Sequence, residues 1–202
     1  PVKIATAYLC MSALLFIILT GCFSFWGNTY PLILSVPVLL VLSTYPYLKR
    51  FTWFCHIYLG ASLALSPVAA AIAIQPEALS HLPIWLLSLA VLCWVAGFDI
   101  IYALQDVECD IRDTLKSMPA SLGVKPAMLI SQILHCLSIA FLYGVSISDT
   151  QFGWLFQTAI ILAAMVLIFE HLTVKKWGTT KIAFTFFTLN GIVSLVIGTA
   201  GI

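Results

Sequence analysis

Seven apolar stretches, each near the length a helix needs to cross a lipid hydrocarbon core, follow one another along 202 residues. They are Ile4–Ser24, Pro31–Leu48, Trp53–Ile74, Ile84–Ala103, Ala127–Ile147, Phe152–Val174 and Ile182–Ile202, joined by short turns such as GNTYP and QPEALSHLP. A hydrocarbon core about 30 Å thick asks for roughly 20 helical residues, and inside it the backbone must satisfy its own N–H and C=O groups. A secretory signal does not account for the pattern, because the apolar stretches recur instead of standing once at the start. Hydrophobic residues make up 62% of the chain, against roughly 45–50% in soluble domains. The expected fold class is therefore all-α: a polytopic transmembrane helical bundle of seven spans, with residues 1–202 as one transmembrane domain and membrane lipid as its surroundings.

The few charges set an orientation. All nine Lys and Arg residues fall in alternate connections: Lys3; Lys49 and Arg50; Arg112, Lys116 and Lys125; Lys175, Lys176 and Lys181. The other connections carry only Glu77 and Asp149. Basic loops stay in the cytoplasm, so the amino terminus is expected inside and Ile202 outside. A net charge of +1 leaves no basic stripe for nucleic acid. The six cysteines stand singly, with no metal-type spacing to the four histidines, and read as small apolar packing residues.

Charged residues are 8% of the chain, yet five of its eight acidic residues lie in FDIIYALQDVECDIRDTLKSMPASLG, Phe98 to Gly123. If the fourth span continues inward as one helix, about 100° per residue puts Asp99, Asp106 and Asp110 within a sector of roughly 40°, with Asp113 nearby and Glu108 opposite. Like charges this close repel, and a carboxylate at a membrane boundary is costly, so cations must offset them. A solvated interfacial helix pairing its own Arg112 and Lys116 is the bland account. The sharper one is that Asp106 and Asp110 offer hard oxygen ligands for Mg²⁺ held jointly with substrate phosphates, near Tyr45, Lys49 and Arg50 of YPYLKR and Lys116 of the same stretch.

Asp99, Tyr102, Asp106, Asp110, Lys116 and Ser117, in the pattern D-x-x-Y-A-x-x-D-x-x-x-D-x-x-x-x-x-K-S, resemble the second aspartate-rich motif of the UbiA superfamily of intramembrane aromatic prenyltransferases. YPYLKR resembles that family's Y-x-x-x-K element, and the likeness runs through all seven spans. The resemblance is nearest to the 4-hydroxybenzoate polyprenyltransferase branch. It implies a nine-helix fold of which seven spans are here, with the two N-terminal helices expected to be missing from these 202 residues, in which the family's first motif, N-D-x-x-D-x-x-x-D, does not occur. It also implies Mg²⁺-dependent transfer of a polyprenyl group from polyprenyl diphosphate to an aromatic acid acceptor, 4-hydroxybenzoate or a hydroxynaphthoate, in ubiquinone or menaquinone synthesis. The expected setting is a bacterial inner membrane with the active site at its cytoplasmic face.

On this likeness Asp106 and Asp110 are metal ligands, and Tyr45, Lys49, Arg50 and Lys116 are diphosphate contacts. Asp99 orients the metal shell or accepts the ring proton, and Tyr102 and Asn190 line the substrate cavity. An interhelical hydrogen bond is an equal reading of Asn190. Glu170 and His171 read as interfacial, and Pro67 as a kink in the third span. Rival functions are a cation- or proton-coupled transporter, which expects carboxylates near mid-membrane, and an inactive prenyltransferase homologue. A CDP-alcohol phosphotransferase requires a D-G-x-x-A-R run that the sequence lacks.

Overall fold

The computed structural model describes residues 2–149 and 151–201. Among the described residues the chain is helical with no strand: α1 Val2–Cys22, α2 Tyr30–Leu48, α3 Cys55–Ile74, α4 Leu82–Tyr102, α5 Val107–Arg112, α6 Met118–Leu122, α7 Val124–Ser148, α8 Trp154–Trp177 and α9 Asn190–Ala200. Six helices among the described residues, counting their 3₁₀ extensions, are long and apolar enough to cross a membrane. The seventh apolar stretch forms a shorter helix, Phe184–Ala200, whose first part, Phe184–Leu189, is π-helical. Its expected end at Ile202 lies outside the described residues. α3 runs on through Pro67 as one helix to Ile74.

α4 is the spine, packing most extensively against α7 and α3. The close approaches are made by small residues, as packing between apolar helices in lipid requires. A Cβ at Gly60 of α3 would collide with the Leu92 carbonyl of α4, and one at Gly97 of α4 would enter the His135 ring of α7. Hydroxyls staple the second interface: Ser131 Oγ donates to the Gly97 carbonyl at 2.7 Å, and Ser138 Oγ to the Ala90 carbonyl at 2.9 Å. Behind them Cys93, Ala96, Ile100, Met118, Ala127 and Leu134 form a core at the end of the bundle where the charged stretch lies. At the other end, Asn28 Nδ2 donates to the carbonyls of Ile72 at 2.7 Å and Ala73 at 3.2 Å, tying the α1–α2 turn to the last turn of α3.

An apolar groove of about 400 Å³ runs between α1, α2 and α3, lined among others by Phe16, Val38, Val41, Leu65, Ala69 and Ala73. One end lies at Val41, one helical turn before Tyr45. A second apolar cavity of about 230 Å³ lies between α4, α7, α8 and α9 below Trp94.

Candidate active site

The charged stretch is not one helix. α4 stops at Tyr102, a 3₁₀ turn spans Ala103–Asp106, and α5 begins at Val107. A 3₁₀ turn holds 3.0 residues instead of 3.6, adding about 20° per residue, or roughly 80° over four residues. The single face expected for the three aspartates is thereby split. Asp99 turns to α3, where its Oδ2 lies 2.6 Å from His56 Nδ1. Asp106 and Asp110 turn to the end of α2.

The cation that this charge density requires comes from α2. Lys49 Nζ lies 2.8 Å from Asp110 Oδ1 and 3.9 Å from Asp106 Oδ2. Asp110 is buried, whereas the Asp106 side chain is 44% exposed, so one carboxylate is held inside and the other faces the rim. The Tyr45 hydroxyl, one turn before Lys49, lies within electrostatic reach of both Asp99 and Lys49. Tyr45, Lys49, Asp99, Asp106 and Asp110 thus gather at one end of the bundle.

The loop after α5 closes the site from beneath. Leu115 N–H donates to the Asp110 carbonyl at 2.8 Å, and Lys116 N–H to the Lys49 carbonyl at 2.6 Å. The reversal passes through Thr114, a β-branched residue at φ 55°, a left-handed conformation that such residues rarely adopt. Lys116 enters through its backbone, and its side chain is exposed. Arg50 turns its guanidinium over the Tyr47 ring, 5.7 Å from the centroid. Arg112 and Asp113 pair with each other at 2.9 Å on the exposed side, and that contact holds the Asp113 carboxyl below its ordinary value. Glu108 is exposed.

A metal can be tested against this arrangement. Asp110 Oδ2 is buried with no hydrogen-bond partner, and Asp106 lies beside it at the rim. Among the described residues no set of three His, Cys, Asp or Glu side chains is placed to hold an ion by itself. The donor set is thus two hard oxygen ligands on a half-open face. That suits Mg²⁺, which keeps several waters and takes one or two carboxylates together with substrate phosphates.

Tyr102 packs on Phe186, with ring centroids 4.3 Å apart. Asn190 makes two interhelical contacts, its Oδ1 accepting from Trp94 Nε1 at 2.9 Å and its Nδ2 lying 3.4 Å from Glu170 Oε1, and within its own helix Nδ2 donates to the Phe186 carbonyl at 3.2 Å. Glu170 is not interfacial. It is 1% exposed, and its Oε2 lies 3.8 Å from Nδ1 of the buried His135, which in turn is 3.0 Å from His171 Nε2. Three titratable groups therefore share a buried polar pocket on the far side of α4 from His56. The sequence marked Glu170 only by its distance from the basic loop, which says nothing about the face it occupies. His56 had no signal beyond being a histidine at the start of a span.

Residues 2–192 match the UbiA prenyltransferase family. The chain is 30% identical to the 4-hydroxybenzoate octaprenyltransferase of Colwellia psychrerythraea over 74% of this chain and 50% of that protein. It is 29% identical to the same-named protein of Francisella tularensis subsp. novicida over 84% of this chain and 58% of the relative. The chain thus spans about half the length of the curated relatives it matches. Among solved structures, the apo structure of a UbiA homolog from Aeropyrum pernix K1 superimposes with a TM-score of 0.84 at 29% identity, covering 99% of this chain and 72% of that one.

Proposed function

Since the chain belongs to the UbiA prenyltransferase family, we propose that the protein transfers a polyprenyl group from its diphosphate to an aromatic acid, 4-hydroxybenzoate before a hydroxynaphthoate, at the cytoplasmic face of a bacterial inner membrane. The observation that carries this reading is a junction of two environments. A polar cluster of Tyr45, Lys49, Asp99, Asp106 and Asp110 stands one helical turn from the start of an apolar groove at Val41. A prenyl diphosphate has that same division, a charged head on a hydrocarbon tail.

Departure of diphosphate develops negative charge on oxygen and an allylic cation on carbon. Lys49 would stabilise the leaving oxygens, since fixed charges act strongly where water is partly excluded. Asp106 and Asp110 would hold Mg²⁺ together with the phosphate oxygens, supplying Lewis-acid charge compensation. Arg50 and Lys116, both exposed at the rim, meet the incoming head group. Asp99 stands deeper and is assigned to the acceptor side, where attack by the ring releases a proton. Tyr102 lies on the same side of α4 as Phe186 and contributes to the acceptor wall, with Asn190 fixing the helix behind it.

The experiment is Mg²⁺-dependent prenylation of 4-hydroxybenzoate in membranes carrying the protein. Asp106→Asn and Asp110→Asn should each lower turnover by about 100-fold or more, because an amide is a poorer ligand and removes charge. Glu108→Gln, exposed and outside the cluster, should remain near wild type. Full activity in either aspartate variant would remove the metal assignment, and selective use of a hydroxynaphthoate would change the acceptor.

A further inference from the structure

We propose that His56 is a positioning residue of this site: its imidazole sets the orientation of the Asp99 carboxylate and locks it to the backbone of the loop that carries Lys116.

His56 is the second residue of α3 and 3% exposed, and both ring nitrogens are engaged. Nδ1 lies 2.6 Å from Asp99 Oδ2. On the opposite edge, the Met118 N–H donates to Nε2 at 3.1 Å. A backbone amide can only donate, so Nε2 is the bare nitrogen and the ring proton resides on Nδ1. Nδ1–H therefore donates to Asp99, and the carboxylate is the acceptor in a hydrogen bond whose direction the backbone dictates. The Met118 N–H belongs to the first turn of α6 and has no intrahelical partner, which is why the contact forms.

The consequence is mechanical as well as electrostatic. Asp99 is held by one oxygen, and its side chain remains 22% exposed. Met118 follows Lys116 by two residues, and Lys116 N–H is bound to the Lys49 carbonyl. One imidazole thus joins the α4 carboxylate to the chain segments presenting Lys49 and Lys116. Misplacing a reacting group by about 1 Å can cost roughly 100-fold in rate, so a locked Asp99 belongs to the catalytic geometry without His56 touching substrate. This inference rests on the proposed prenyl transfer for its kinetic consequence, but not for the contact itself.

The test uses His56→Phe, which keeps a buried ring without hydrogen bonds, His56→Ala, and His56→Gln, whose amide carries both a donor and an acceptor. Phe and Ala should lower kcat by about 10-fold or more while KM for the prenyl diphosphate changes less than about 3-fold, and Gln should recover most of the loss. A purely structural role would lower thermal stability in detergent in step with activity and would not separate kcat from KM. In ¹⁵N-histidine spectra, assigned by difference against His56→Gln, His56 should show the Nδ1–H tautomer, and Asp99→Ala should perturb it. Wild-type kcat in His56→Phe, a Gln variant as impaired as Phe, or an Nε2–H tautomer overturns the proposal. A wild-type protein without prenyl transfer counts against the enzymatic reading alone, because the tautomer still decides the contact.

Discussion

Asp110 is a buried carboxylate with only one of its two oxygens matched by a cation. Removing a carboxylate from water costs several kcal/mol, and an ion pair repays this only when the remaining lone pairs are satisfied. Here Oδ1 has Lys49 at 2.8 Å while Oδ2 has no partner. The half-paired carboxylate is thus stable enough to fold and still receptive to a further cation. Lys49→Ala leaves the buried charge alone and should destabilise the protein by about 2–4 kcal/mol, toward the lower end because the lysine is partly exposed. Combining it with Asp110→Asn should cost less than the sum of the single changes, since neither charge then remains. Thermal unfolding of the four proteins in detergent measures the cycle, and strict additivity would show that the pair is not the source of the loss.

At the scale of elements, the governing fact is that α4 touches α3 through Gly60 and α7 through Gly97, and each contact leaves no space for a methyl group. Gly97→Ala drives a Cβ into the His135 ring, which is itself buried; overpacking of this kind costs about 1–3 kcal/mol. Gly191, with open space around its Cα, is the contrast: alanine there should be neutral or stabilising by up to roughly 1 kcal/mol. Adding His135→Ala to Gly97→Ala should recover part of the loss, because the new methyl occupies space the ring has left. Equal melting temperatures for Gly97→Ala and Gly191→Ala would mean the α4–α7 approach is looser than these contacts show. These helix pairs also explain what the sequence could not display. A 20-residue apolar run is visible in one dimension, so the six long helices were legible to within a few residues. The helices are apolar nearly all round, however, and hydrophobic periodicity then selects no face. The Trp94–Asn190 contact, the burial of Glu170 and the His56–Asp99 pair all depend on which helices are neighbours. The motifs placed Asp106, Asp110 and Lys49 in successive basic connections on one expected side, whereas the 3₁₀ turn that rotates Asp99 away from them falls within the ordinary-looking ALQD.

For the whole molecule, the division of labour is between a polar end and an apolar length. α3 begins beside the charged cluster at Cys55, and at 1.5 Å per residue it reaches Ala69 about 21 Å further on. Ala69 lines the groove between α1, α2 and α3 well beyond its start at Val41. If the prenyl tail occupies that groove, Ala69→Phe should shorten the hydrocarbon it accepts without disturbing the head-group site. Donors too short to reach Ala69 should keep their kcat/KM, while long polyprenyl diphosphates should lose about 10-fold or more, since each buried CH₂ contributes about 0.8 kcal/mol. A chain-length series of prenyl diphosphates assayed with wild type and Ala69→Phe gives the answer. A loss equal at every length would signal damage to packing. An unchanged profile would put the tail elsewhere, with the apolar cavity between α4, α7, α8 and α9 as the next candidate. Phenylalanine at Ser194, which lines that second cavity, would then impose the length dependence that Ala69→Phe failed to show.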